Sequence, residues 1–231
     1  MGAMDEEQLF ESALERAASA MGIATTAEAR DVMRRHYARL VEANRQFNLT
    51  RITSPEDAAV KHYADSLTLL ALPGMDSAPR RVVDVGTGAG FPAVPLAICR
   101  GEWSILAIDG TNKKVQFVAA CAEALGLSNL AARHLRGAEL AREQAGAFDL
   151  VVLRAVTQLA PGLREVAPLL APSGRIVFYK TAAMEPAERR DGEKMAARLG
   201  LTPHEYPLEL PAGNETLHRL LIVFERSDKR S

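Results

Sequence analysis

Apolar positions in the first third of the chain recur at helical spacing. Met33, Tyr37, Leu40 and Val41 share one side of a segment with Asn44, and Thr25 to Glu28 reads as a capping box opening it. Glu6 to Met21 carries the same period. Ser54-Pro55-Glu56-Asp57 sets a hydroxyl before a first-turn proline, which predicts a further helix from Pro55 to about Leu72. The Pro- and Gly-containing stretch Pro73 to Pro79 ends this all-helical part. From Arg81 the pattern shortens to β-rich apolar runs, predicting strands at Arg81–Val85, Ser104–Asp109, Leu130–Leu135, Phe148–Leu153 and Arg175–Lys180. Helical patterns near Pro92–Cys99, Asn112–Leu125, Leu159–Leu170 and Glu185–Leu199 separate them, each long enough for a crossover between parallel strands. Continuous Val, Ile and Leu runs suit strands covered on both faces. Beyond Gly200, Thr202–Leu210 and Thr216–Glu225, joined by Pro211-Ala212-Gly213-Asn214, predict a terminal antiparallel hairpin. The expected organisation is a helical extension, residues 1–79, packing on an α/β domain, residues 80–231. That domain is a mostly parallel seven-stranded sheet with helices on both faces.

Composition narrows the classes of function. With 48% apolar and 25% charged residues among 231, the chain can bury a substantial core. A formal charge of -1 excludes a globally basic nucleic-acid binder and leaves room only for a local basic patch. Cys99 and Cys121 fall in apolar helical stretches, where small buried hydrophobes are expected rather than a disulfide, and no metal-ligand spacing accompanies them. The start Met1-Gly2-Ala3-Met4 lacks the features of a secretory signal and is expected to be an expression scar. No apolar run approaches the ~20 residues that span a bilayer, so a cytoplasmic protein is expected.

The chemistry concentrates after the first predicted strand. Gly86, Gly88 and Gly90 alternate between Val82–Val85 and the helix opened by Pro92. Glycine there permits a tight turn and close backbone approach to a ligand, beside unpaired N–H groups of a helix start. The dinucleotide fingerprint requires glycine at its sixth position, which counted from Gly86 is Phe91, so a nicotinamide cofactor is disfavoured. Asp109 ends the second strand, where doubly wound folds place an acid on ribose hydroxyls. The lesser alternative is a cap of the helix that begins near Asn112. Asp84 ends the first strand, as a partner for a cofactor cation or as a cap of the Gly-rich loop. Lys113 and Lys114 suit a phosphate or a solvated first turn, and Arg154 reaches the same sheet edge from the fourth strand. Arg30, Arg34, Arg35, Arg39 and Arg45 can track an RNA backbone or form a solvated face with Asp31 and Glu42.

Taken in order, Asn48-Leu49-Thr50, His62 with Asp65-Ser66-Leu67, Asp84 to Pro92, Lys113-Lys114 with Phe117, Arg136 with Glu139, Phe148-Asp149 with Arg154-Ala155, and Lys180 resemble the bacterial glucose-inhibited division protein B family. The resemblance runs from about Gln46 to Lys180. It implies a class I, Rossmann-like methyltransferase that uses S-adenosylmethionine to methylate N7 of a guanine in 16S ribosomal RNA of the small subunit. It also implies cofactor contacts at Gly86, Phe91, Ala138, Glu139 and Arg154, to which the reading of the residues adds Asp84, Gly88 and Asp109. His62, Lys113, Lys114, Arg136 and Lys180 are then the RNA-binding candidates, and His62 is equally suited to pair with Asp65. The chain departs from the family pattern at Ala93 and at Thr181, both usually Gly.

Guanine N7 carries a lone pair and no proton, so such a transfer needs alignment rather than a general base, and no catalytic residue is assigned. The expected partner is the small ribosomal subunit, with no membrane, no metal and a monomeric enzyme. Methyl transfer to a small molecule or protein, and a non-catalytic S-adenosylmethionine sensor, are the alternatives.

Overall fold

The computed structural model describes residues 5–75 and 80–227. The tetrapeptide Met1-Gly2-Ala3-Met4 and the last part of the Pro73 to Pro79 stretch lie outside the described residues. Seven strands form one sheet in the order β3-β2-β1-β4-β5-β7-β6. They are β1 (Arg81–Val85), β2 (Ser104–Asp109), β3 (Leu130–His134), β4 (Phe148–Arg154), β5 (Leu170–Thr181), β6 (Leu201–Ala212) and β7 (Glu215–Arg226). The first five pair in parallel, while β7 runs antiparallel to both β5 and β6. The mostly parallel sheet and the terminal hairpin are as expected from the sequence.

The strand order reverses between β1 and β4, so the crevice outside their carboxyl ends is the natural ligand position. Helices α5 (Ala93–Cys99), α6 (Asn112–Ala124), α7 (Gly137–Glu143), α8 (Leu159–Val166) and α9 (Pro186–Leu199) make the crossovers. Two apolar layers cover the sheet: Val82, Ala107 and Val152 on one face with Leu96 and Val118, and Val83, Val151 and Ile176 on the other with Leu163 and Leu140.

Several boundaries differ from the sequence reading. The expected helix through Leu170 stops at Val166, continues as one 3-10 turn, and gives way to β5, which begins at Leu170. Leu170 pairs with Phe148 and Arg175 with Leu150, with a register shift between them that takes up Ala171 to Gly174. Thr26, not Thr25, caps the second helix, accepting from the Ala29 amide at 3.1 Å. The expected capping box is absent because Ala29, with no side-chain acceptor, occupies its third position.

Ahead of the sheet lie α1 (Glu6–Ala20), α2 (Ala27–Phe47), α3 (Pro55–Ala58) and α4 (Asp65–Leu67), the last two joined by the π turn Ala59–Ala64. Arg34 of α2 bridges to Glu7 and Glu11 of α1 and to Asp31, and Arg35 takes the expected pair with Asp31. That part of the arginine stripe is thus spent on helix packing. Beneath it, Phe10 is fully buried, stacked on Tyr37 and edge-on to Tyr63, each at 5.0 Å. This cluster also takes in Ala89 and Phe91 of the Gly-rich loop and Leu210 of β6, so helices and sheet share one core. Phe10→Ala is expected to cost about 3–5 kcal/mol of stability, read as a lower denaturation midpoint in urea.

Candidate functional site

A cavity of about 520 Å³ opens at the carboxyl ends of β1, β2 and β4. Its floor is the turn from β1 into α5. Gly86 and Gly88 both have positive φ, 77° and 60°, and the Gly86 and Thr87 amides donate to the Ile108 carbonyl at 2.8 and 2.9 Å. The turn is therefore stitched to β2; its backbone is open at Gly88, while Val156 packs against Gly86.

Asp109 ties down the loop backbone and does not cap α6, whose N-cap is Thr111 with no side-chain cap bond. Its Oδ2 accepts from the Gly88 amide at 3.0 Å and its Oδ1 from the Thr111 amide at 2.8 Å, with Lys114 Nζ at 3.7 Å. Each oxygen keeps a further lone pair, so the carboxylate that fixes the loop can still accept from a pair of ligand hydroxyls.

Phe91 stands over the turn between His62, stacked at 4.6 Å and 14°, and the Arg154 guanidinium at 5.4 Å. Arg154 donates to Asp65 Oδ2 at 2.7 Å and to the Lys61 carbonyl at 3.2 Å. Arg219 of β7 donates to the other Asp65 oxygen at 2.7 Å. The expected His62–Asp65 pair is therefore replaced: Asp65 belongs to the two arginines, while His62 Nε2 meets Thr50 Oγ1 at 2.8 Å. Two guanidiniums against one carboxylate leave a positive charge beside the cavity. Burial, and then the charge of Arg154, push the His62 imidazole down to about 3.

Gly86, Gly88, Phe91, Asp109, Arg154, His62, Lys114 and Arg136 line this cavity together. Other candidates do not reach it. Asp84 is buried and caps α5, its Oδ2 accepting from the Ala93 amide at 3.1 Å, so the capping role is the one it fills. Burial pushes that carboxyl up to about 7. Ala93 itself sits unstrained in the first turn. Glu139 turns back on its own helix to accept from the Arg136 amide at 2.7 Å, and with Ala138 it faces the outer surface. Lys180 is held by the Thr157 carbonyl at 2.8 Å and Glu188 at 2.6 Å, inside the protein rather than toward a ligand. Lys113 lies exposed above the Phe47 ring.

Leu49 and Thr50, named above only as part of the family pattern, also line the cavity, as do Val156, Thr157 and Glu165, which the sequence reading passed over. Glu165 reaches it only because residue 137 is glycine, since a Cβ there would stand 2.8 Å from Glu165 Oε1. The Arg136-Gly137 pair before Glu139 is the local signal for this turn. Cys99 and Cys121 are free thiols, as expected, both pushed up to about 12 by burial. Among the described residues, no cluster suited to a metal ion and no helix long and apolar enough to cross a membrane occurs.

The site's buried titratable groups set a pH dependence. His36 beneath Phe91 is pushed down to about 3 by burial, as is His62, so between about 3 and 6.5 the unfolded chain binds protons that the folded chain refuses. Stability from these groups is lost as pH falls through that window. Asp84 acts oppositely between its ordinary 3.8 and about 7, because there the folded chain holds the extra proton. Two imidazoles outweigh one carboxyl, so the denaturation midpoint should drop from pH 7 to pH 5. Asp84→Asn should steepen that drop, and an unchanged slope would refute the assignment of Asp84.

Residues 29–207 match a family model described as GidB, rRNA small subunit methyltransferase G. A protein of Deinococcus deserti named ribosomal RNA small subunit methyltransferase G is 45% identical over 164 residues, which span 70% of this chain and 66% of that protein. Its namesake from Leuconostoc citreum is 32% identical over 216 residues, 90% of this chain and 89% of the relative. Among solved structures, a precorrin-6y C5,15-methyltransferase from Geobacter metallireducens shares the fold, with a TM-score of 0.55 at 14% identity over 71% of this chain and 87% of its own. So does a 16S rRNA (adenine(1408)-N(1))-methyltransferase from Catenulisporales acidiphilia, with a TM-score of 0.51 at 21% identity over 67% and 88% of the two chains. With the Gly-rich turn, Asp109 and the cavity in place, the chain belongs to the rRNA small subunit methyltransferase G family, whose methyl donor is S-adenosylmethionine.

Proposed function

We propose that this enzyme methylates N7 of a guanine in 16S rRNA, acting in the cytoplasm as a monomer on the small-subunit particle. The observation that carries the reading is a cavity whose wall sets the Arg154 guanidinium beside the His62 imidazole, which burial keeps neutral. A His62 pushed down to about 3 is a poor base at neutral pH. That suits a nucleophile that has only a lone pair to give.

S-adenosylmethionine supplies an electrophilic methyl on a sulfonium. The chain's own residues position it and the base. Gly88 leaves the loop backbone open for the cofactor, and Asp109 accepts from its ribose hydroxyls. Glu165 and Arg136 flank the far end. Arg154, steadied by Asp65, is the donor for O6 of guanine or for an adjoining phosphate, which leaves the N7 lone pair free to attack the methyl. The near-neutral net charge suits weak binding of naked RNA and preference for a structured particle. Within this scheme residues 1–79 form an extension that supplies His62 and Thr50, and residues 80–231 form the cofactor-binding unit.

Labelled methyl should enter 16S rRNA of small subunits purified from a strain lacking this enzyme, and borohydride–aniline cleavage should place it at N7 of one guanine. Absence of label in those subunits, or a methyl at another atom, refutes the proposal. Gly86→Ala adds a Cβ at positive φ that would stand 2.5 Å from Val156 Cγ2. Calorimetry well below the melting temperature, which the strained turn should lower by a few degrees, should show at least about a tenfold weaker affinity for S-adenosylmethionine in this variant.

A further inference from the structure

The two large apolar side chains left exposed among the described residues are Phe47 and Val156, each 46% exposed. Val156 lines the cavity itself. Phe47 ends α2, two positions before Leu49, which with Thr50 lines the cavity, and it lies beside Lys113, whose neighbour Lys114 lines the cavity too; these residues form one lip of it. A single exposed apolar residue is ordinary on a protein surface. Phe47 is set apart by its place and its company.

Lys113 Nζ lies 5.8 Å from the centre of the Phe47 ring, and Lys113 engages no carboxylate among the described residues. Its neighbour Lys114 turns inward to Asp109. Exposed Arg51 follows Thr50 directly. The lip therefore joins an aromatic ring to cations that are free to meet phosphate. RNA with unstacked bases is recognised by this pairing, because any base offers a π face to a ring while its phosphates take the charge.

We propose that Phe47 is the platform on which an rRNA base next to the target guanine stacks, with Lys113 taking the adjoining phosphate. This rests on the rRNA reading above. Base–ring stacking holds the strand while the neighbouring guanine enters the cavity, so Phe47 is a positioning residue and does not touch the reacting atoms.

The test uses the full-length enzyme and small subunits lacking the methyl mark. Phe47→Ala should raise KM for subunits about tenfold, with kcat and the affinity for S-adenosylmethionine unchanged. Phe47→Trp should restore KM. The sole native tryptophan, Trp103, is buried, so the new indole reports the lip, and its emission should be quenched when subunits are added. An unchanged KM in Phe47→Ala overturns the inference. Loss of cofactor affinity in that variant also overturns it, because the residue is then structural. A blue shift of the indole emission in Phe47→Trp, without quenching, assigns the lip to a ribosomal protein and overturns it too. Failure of the wild-type enzyme to label subunits refutes the rRNA reading, and this inference falls with it.

Discussion

Phe91 is the residue on which loop, cavity and helical segment all depend. It closes the Gly-rich turn, yet its ring lies in the aromatic core of the helical segment, edge-on to Tyr63 at 5.1 Å and to His36 at 5.5 Å. Its faces are taken by His62 and by the Arg154 guanidinium. Each aromatic contact is worth about 0.5–1.5 kcal/mol beyond area burial, and a desolvated cation over a ring about 2 kcal/mol. The order of magnitude matters less than the geometry. A ring wedged from four directions fixes the end of the turn, while β1 and the stitches to Ile108 fix its start. The glycines between, which alone would leave the backbone loose, are held at both ends.

The same ring aligns the site's electrostatics. Arg154 is set by Asp65 and two backbone carbonyls, and Asp65 in turn by Arg219 from the far hairpin. Three elements distant in sequence thereby meet at one carboxylate. A buried carboxylate with one partner repays little of its desolvation, but one with two guanidiniums has both oxygens satisfied and leaves positive charge over. Burial, with that surplus behind it, keeps His62 neutral, and the Arg154 guanidinium gives the cavity wall its donors. The C-terminal hairpin, remote from the turn in sequence, thus acts on the site through Arg219.

The sheet was legible because its strands are buried on both faces, and unbroken apolar runs separated by helical periods have few other readings. β1 and β2 agree residue for residue with the expectation. Errors arose where tertiary pairing overrode local pattern. Ala171 to Gly174 look like a turn, yet Leu170 pairs with Phe148 and draws β5 backward across a bulge. The Gly-rich turn and Asp109 were legible because strand-to-helix spacing places them. Asp84, Glu139 and Lys180 were assigned outward roles that the structure gives to caps and a lock, because spacing shows where a side chain starts and not what it finds. Glu165 was marked only indirectly, by the Arg136-Gly137 pair of a different element. Its approach depends on the missing Cβ of Gly137, which only packing reveals.

The lock explains Lys180 better than an RNA contact does. After β4 the chain passes through Ala155 at φ 56°, a left-handed conformation that costs a non-glycine residue about 1 kcal/mol. Such a turn persists only if its surroundings over-determine it. Lys180 binds the Thr157 carbonyl and Glu188, and Glu188 accepts the Leu159 amide at 3.1 Å, so one ion pair fastens both sides of the segment. Gly162 lets Thr157 Cγ2 come within 2.7 Å of where its own Cβ would be, closing the packing beneath. The strain is therefore offset outside the cavity, and its result is felt inside. Val156 is pressed against bare Gly86, at the floor the cofactor must share. Lys180 acts on the site by fixing how far that loop stands over the glycine turn.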